Sequence, residues 1–183
     1  MILLDKPRWP WRGRLWGHMV SDVSLEELHA FALNIGKRRI GFQGDHYDIN
    51  EDEHQLALEA GATKVDSREL VRRLRDSGLR QRSNSPPWNI VYESKRMQKL
   101  SELRLIVSTH VSCHEYRTRF CRTLRSGDPQ LAVLSTLIVE RSEASAVVLE
   151  VNESPLLDAT GLDLFINNEA GDARLIELII GDC

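Results

Sequence analysis

Side chains that could bind a divalent metal or move protons crowd the first fifty residues: Asp5, His18, Asp22, His29, and the run Asp45, His46, Tyr47 and Asp48. Four of the six histidines precede residue 55. Imidazole nitrogen together with carboxylate oxygen suits zinc, manganese or iron with a position left for water, and a bound ion lowers the pKa of that water towards neutrality. On this reading Asp5, His46 and Asp48 are the metal set. His18, with Asp22, does the acid–base work, an imidazole of ordinary pKa about 6.5 being the natural proton shuttle. His18, His29, His46 and His54 form no His-x-x-x-His motif among themselves, so a metal-free His/Asp pair accounts for the same residues. A plainer reading has the aspartates capping backbone NH groups and the histidines as satisfied hydrogen-bonders. His110, Cys113, His114 and Cys121 have zinc-binding side chains, but their spacing matches no common finger or ribbon.

Two features are suited to an anion. From Lys6 to Gly17, Arg8, Arg12 and Arg14 interleave with Trp9, Trp11 and Trp16. Indole faces stack on bases while guanidinium groups pair with phosphate, so Arg8, Trp11 and Arg14 are candidate substrate-binding residues. The alternative is that the tryptophans pack a long loop onto a sheet. On the third predicted helix Arg68, Arg72 and Arg75 form a basic stripe. Arg68 stands in its first turn, where a cation opposes the helix dipole unless it meets an anion. It is the fourth candidate for holding a phosphate or carboxylate.

The elements that position these residues follow from local signals. Met1 to Leu4 is apolar and ends at Asp5, as a buried strand would. Ser24 with Glu27, Asn50 with Glu53 and Asp66 with Glu69 have capping-box spacing, and Gly36, Gly61 and Gly78 are suited to the left-handed helix exit. Between these three helices, Arg39 to Gln43 running on to Ile49, and Ala62 to Val65, read as strands. Ligands in open α/β sheets collect beyond the carboxyl ends of the strands, where Asp5 would lie. The polar stretch with Pro86 and Pro87 predicts a linker over 81–99. Beyond it, Leu103 to Val111, Leu131 to Val139, Ala146 to Val151, Leu162 to Ile166 and Leu175 to Ile180 read as β-like runs. The expected architecture is an α/β domain over 1–80 and a smaller strand-rich α+β domain over 100–183.

Residues 1 to about 82 resemble a small uncharacterised domain found in bacteria and phages. The likeness rests on Met1 to Asp5, Arg8-Trp9, Trp16 with His18, Ser21-Asp22, Glu27-Leu28-His29, His46-Tyr47-Asp48, and Gly61-Ala62 leading into Ser67-Arg68-Glu69-Leu70. That family has no assigned activity, so the resemblance implies an intact domain and no mechanism.

Composition narrows the classes further. The net charge of −3 divides unevenly: residues 1–95 carry 15 basic and 14 acidic side chains, and residues 96–183 carry 9 and 13. Three cysteines, no long apolar run and no leader pattern at Met1 make a cytoplasmic protein without a membrane partner the expectation. Absence of a P-loop, of Gly-x-Gly-x-x-Gly and of Gly-x-Ser-x-Gly argues against Walker-type, dinucleotide and α/β-hydrolase chemistry. The sequence therefore points to a His/Asp-dependent hydrolase or transferase of a phosphorylated substrate such as a nucleotide or nucleic-acid end. The alternative is a non-catalytic accessory factor that binds a nucleotide or protein, with the C-terminal half available for self-association.

Overall fold

A computed structural model describes residues 1–81 and 86–181. Arg82, Ser83, Asn84 and Ser85 of the expected linker, and Cys183, lie outside the described residues. The chain divides into two compact units, Met1–Ser85 and Pro86–Cys183, of which the second is the longer.

The N-terminal unit is α/β, with elements in the order β1 (Ile2–Leu4), β2 (Trp9–Trp11), β3 (Arg14–Ser21), α1 (Leu25–Asn34), β4 (Tyr47–Asn50), α2 (Glu51–Glu59), β5 (Thr63–Lys64) and α3 (Ser67–Asp76). β3 is central. β1 and β2 pair antiparallel along one edge of it and β4 along the other, while β5 runs parallel to β1. The expected long loop over Lys6–Gly17 is a hairpin instead. Arg12 (φ 49°) and Gly13 (φ 74°) both take positive φ, as the two central residues of a tight hairpin turn require. Arg39–Gly41 forms a 3-10 turn where a strand was expected, and Phe42 makes only an isolated antiparallel bridge with Tyr47 of β4.

All three helices begin at the expected caps and leave through Gly36, Gly61 and Gly78 at positive φ. Only Asn50 and Glu53 complete a reciprocal capping box; Glu27 turns instead to Ser21 and the Met1 amino group, and Glu69 to Arg72. The sheet is covered on both faces. Leu4, Met19, Tyr47 and Ile49 pack with Leu28, Ala32 and Ala57 of α1 and α2, and Leu3 and Val20 pack with Leu70 and Leu74 of α3. Alternation along β3 therefore puts His18 on the face shared with Val20 and α3.

His29 packs into the first of these clusters, with Nδ1 2.9 Å from Tyr47 Oη. Burial, with Arg39 nearby, pushes its pKa down to about 4. A histidine kept neutral by the fold contributes stability that is present above its ordinary pKa of about 6.5 and is lost as pH falls towards 4. With solvent screening this is worth about 1–2 kcal/mol. His29→Gln retains a partner for Tyr47 but cannot titrate, so its urea stability should change less than that of wild type between pH 7 and 4.5. Parallel pH dependences would refute this. His54, expected to be exposed, is 8% exposed, and its Nε2 has no partner among the described residues.

The C-terminal unit is strand-rich α+β. It contains β6 (Asn89–Ser94), β7 (Gln98–Lys99), α4 (Leu100–His110), α5 (His114–Ser126), β8 (Ala132–Arg141), β9 (Ala144–Val151), β10 (Leu164–Ala170) and β11 (Ala173–Gly181). The sheet is antiparallel in the order β10-β11-β9-β8-β6, with β7 beside β8. β6 and β7 occupy much of the segment expected to be linker. Leu103–Val111, expected as a strand, lies almost wholly in α4: Leu100, Leu103 and Val107 are buried at three- and four-residue spacing, whereas Leu105 is 75% exposed. These residues and Phe120 and Leu124 of α5 pack on Val133, Ile138, Val147, Leu149, Ile176 and Leu178. No helix among the described residues is long and apolar enough to cross a membrane.

Candidate metal centre

The β3–β4 register sets His18 directly opposite Asp48, an arrangement that brings Cβ atoms to about 4.5–5.5 Å on one face. His46 lies two residues before Asp48 and leans over the same place. Its Nε2 is 3.5 Å from Asp48 Oδ1, and His18 Nε2 is 4.0 Å from that same oxygen. The two imidazoles meet edge to face, with centroids 5.3 Å apart. One ligand atom from each of His18, His46 and Asp48 lies within 4.8 Å of the others, the sole such group of three among the described residues. Ligands about 2.0–2.1 Å from a tetrahedral zinc are about 3.4 Å apart. The site is therefore slightly open relative to a bound geometry and closes with small side-chain movements.

Each imidazole is held from behind. Asp5, 2% exposed, faces His18 Nδ1 with Oδ2 at 3.1 Å; the same oxygen accepts from Ser67 Oγ (2.7 Å), and Oδ1 accepts from the His18 backbone N–H (2.7 Å). Asp45, 1% exposed, faces His46 Nδ1 at 2.6 Å and accepts from the Gln81 N–H at 2.8 Å, with Arg80 at 3.3 Å. An ionised carboxylate only accepts hydrogen bonds, so each Nδ1 carries the proton, and in the neutral ring Nε2 presents a lone pair. This is the carboxylate–histidine arrangement that orients metal ligands. Space for Asp5 depends on Gly17, where a Cβ would come within 2.9 Å of Asp5 Oδ1 and 3.0 Å of the Asp5 carbonyl.

The charges are strongly coupled. Burial alone would raise the Asp5 pKa, but hydrogen bonds from the His18 ring and backbone and from Ser67 outweigh it and hold the carboxyl below its ordinary value. Asp48 is likewise lowered against burial, by His46, His18 and Lys37. Burial opposes protonation of His46, yet Asp48 and Asp45 raise its pKa on balance.

Trp9, Trp11, Trp16 and Gly17 border a cavity of about 230 Å³ that opens onto His18 and Asp48. Trp16 Nε1 donates to the Trp11 carbonyl (3.0 Å), and Trp11 meets Trp16 edge to face at 5.4 Å. Trp9 is 63% and Trp11 55% exposed, against a half-buried Trp16, and the Arg12 guanidinium lies 4.5 Å over the Trp11 ring.

Of the residues proposed from sequence, His18, His46 and Asp48 come together. Asp5 stands behind His18 and is not one of the three converging groups. Asp22 lies at the far end of β3, paired with Arg73 (2.7 Å) and the Met1 amino group (2.9 Å). Arg14 pairs with Asp52 at 2.6 Å, while Arg8 and Arg68 are exposed and make no ion pair among the described residues. In the sequence Asp45 is singled out with His46, Tyr47 and Asp48 but given no role of its own, and Ser67 counts only as part of the family resemblance. The Asp-His pair just before a strand and the serine that opens α3 were the only traces they left in the sequence. No zinc-type grouping of His110, Cys113, His114 and Cys121 forms among the described residues, and Cys113 and Cys121 are free thiols.

Comparison with known proteins places the likeness over this same region. No curated protein and no solved structure matches the chain. Residues 2–77, which carry every side chain of the cluster and Asp5, Asp45 and Ser67 behind it, match the family described as Protein of unknown function (DUF4031).

Proposed function

We propose that the N-terminal unit binds one divalent transition-metal ion through His18 Nε2, His46 Nε2 and Asp48, and uses it to hydrolyse or transfer a phosphorylated substrate such as a nucleotide or nucleic-acid end. The observation that carries this reading is the convergence of two imidazoles, each backed by a nearly fully buried carboxylate, on one oxygen of Asp48. Three N/O ligands leave room on the ion for a water and a phosphoryl oxygen. A metal lowers the pKa of that water towards neutrality and draws charge from the phosphoryl group. In hydrolysis the water oxygen forms a bond to phosphorus as the bond from phosphorus to the leaving oxygen breaks. The water's proton passes to the second Asp48 oxygen, and the leaving oxygen takes a proton from solvent. The cavity beside Trp9, Trp11 and Trp16 is smaller than the roughly 300–1,000 Å³ of pockets for drug-sized ligands, so it suits one ring of a substrate whose phosphate reaches the ion.

The test is the metal-to-protein ratio of the full chain by plasma mass spectrometry, followed by turnover of phosphomonoesters and diesters with and without a chelator. About one ion per chain and chelator-sensitive turnover are expected. No ion, before or after adding zinc, manganese or iron(II), would remove the reading. A bound ion without turnover would favour the accessory-factor reading, which the two exposed indoles support as a capture surface.

A further inference from the structure

The C-terminal unit carries a second concave surface, remote in character from the His/Asp cluster. Between α4 and α5 runs an open groove of about 870 Å³, with Arg104 on one side and Arg117, Arg122 and Arg125 on the other. No carboxylate lines it among the described residues. This is unexpected in a half of the chain where acidic side chains outnumber basic ones by 13 to 9. Arg104 and Arg125 make no ion pair among the described residues. Arg117 donates Nη1 to the Ser108 carbonyl at 3.3 Å, while its Nε is buried without an acceptor. By contrast Arg119 and Arg174 of the same unit have carboxylate partners, at 2.8 and 3.0 Å. The arginines of these helices that make no close ion pair among the described residues are thus gathered in one groove, with Asp158 the acidic group that feels Arg122.

We infer that this groove binds the sugar–phosphate backbone of a nucleic-acid duplex without regard to sequence. A cleft lined by one sign of charge concentrates counter-ions of the other sign, and the guanidinium fork matches phosphate oxygens in pairs. Arg117 to Arg125 covers about 12 Å along α5 at helical rise, long enough for several successive phosphates. Ser108 and Thr118 add hydroxyl donors of the kind that contact phosphate. Apart from the His114 imidazole, no aromatic ring lines the groove among the described residues: it has no Phe, Tyr or Trp. Grooves for single strands combine positive charge with stacking platforms, so backbone contact to a duplex, whose bases are already stacked, fits better. A membrane surface would call for an apolar stripe beside the arginines, and Leu105 alone supplies one.

The experiment uses fluorescence anisotropy of the full chain with a labelled duplex of about 20 base pairs and arbitrary sequence, titrated at several salt concentrations. Four phosphate contacts predict a slope of log K against log salt of about −3.6, and roughly a hundredfold loss between 50 and 200 mM salt. The doubly substituted chain R104Q/R125Q, changed only at exposed positions, should bind more weakly with a slope of about −1.8. The duplex should be preferred over a single strand of equal length, over polyglutamate and over vesicles containing anionic phospholipid. Absence of duplex binding, an unchanged slope in R104Q/R125Q, or equal binding of any of the other three probes would overturn the inference. A change of slope in R104Q/R125Q assigns the contact to the groove whatever the metal-to-protein ratio, so the groove and the metal centre fail separately.

Discussion

His46→Ala is expected to lower affinity for a divalent transition metal by about a thousandfold, beyond the roughly 10–100-fold typical of changes behind the ligands, while leaving the fold intact. The expectation follows from where the side chain sits. His46 precedes β4 instead of lying inside it, and its removal leaves Asp45 still accepting from the Gln81 N–H and close to Arg80. No buried carboxylate is orphaned, so the destabilisation that accompanies an unpaired internal charge does not arise. What is lost is one of three converging donors. Asp48→Asn provides the companion variant: the side chain is 47% exposed and isosteric with the original, yet a neutral amide is a poor ligand for a dication. Competition against a chromophoric chelator reads the affinity, and circular dichroism with urea unfolding reads the fold. Wild-type affinity in both folded variants would mean that any bound ion sits elsewhere.

The parts of this site that were legible from sequence are those set by local rules. The three N-caps and the glycine exits depend on one or two residues each, and they fix α1, α2 and α3 closely. The central strand β3 was hidden. Its Trp16, Gly17, His18 alternation lay inside a segment read as loop, because Arg12-Gly13 lacks the Asn-Gly or Asp-Gly signature of a tight hairpin although it takes the same positive φ values. Without β3 there was no register, and without register nothing placed His18 opposite Asp48. Asp5 was read as a metal ligand with His46 and Asp48, but its place behind His18 is decided at longer range. The Gly17 backbone leaves space for the carboxylate to turn back, and Ser67, sixty-two residues on, fixes it there. Asp22 was paired with His18 on the expectation that both fold back from a loop; as β3 is a strand, Asp22 lies just past its end, held by Arg73 and the Met1 amino group. In the C-terminal unit, Leu103 to Val111 has enough β-branched and leucine side chains to pass for a strand. Exposure of Leu105 between buried Leu103 and Val107 became visible only once the helix was packed.

Substitution of Asp5 separates holding the fold from orienting the ligand. Asp5→Ala removes the acceptor for the His18 backbone N–H and for Ser67 Oγ and the partner of the His18 ring, in a place 2% exposed. Leaving buried donors unpaired costs about 1–3 kcal/mol each, partly relieved by Ser67 turning to solvent, so a loss of about 3 kcal/mol is expected. For a unit of this size that corresponds to a fall in Tm of about 12–24 °C. Asp5→Asn keeps the shape and one acceptor oxygen. With that oxygen on the His18 N–H, the amide nitrogen faces Ser67 Oγ and His18 Nδ1, where it can only donate. The ring must then accept through Nδ1 and carry its proton on Nε2, the atom that would meet the metal. Stability should therefore fall by only about 1 kcal/mol, in the range of one exchanged hydrogen bond, while metal affinity falls about 10–100-fold. Nitrogen-15 NMR of the imidazole reads the tautomer directly: Nδ1–H in wild type, Nε2–H in Asp5→Asn. A wild-type tautomer with weakened metal binding would reduce Asp5 to a charge acting at a distance. A shifted tautomer with unchanged binding would take His18 out of the ligand set.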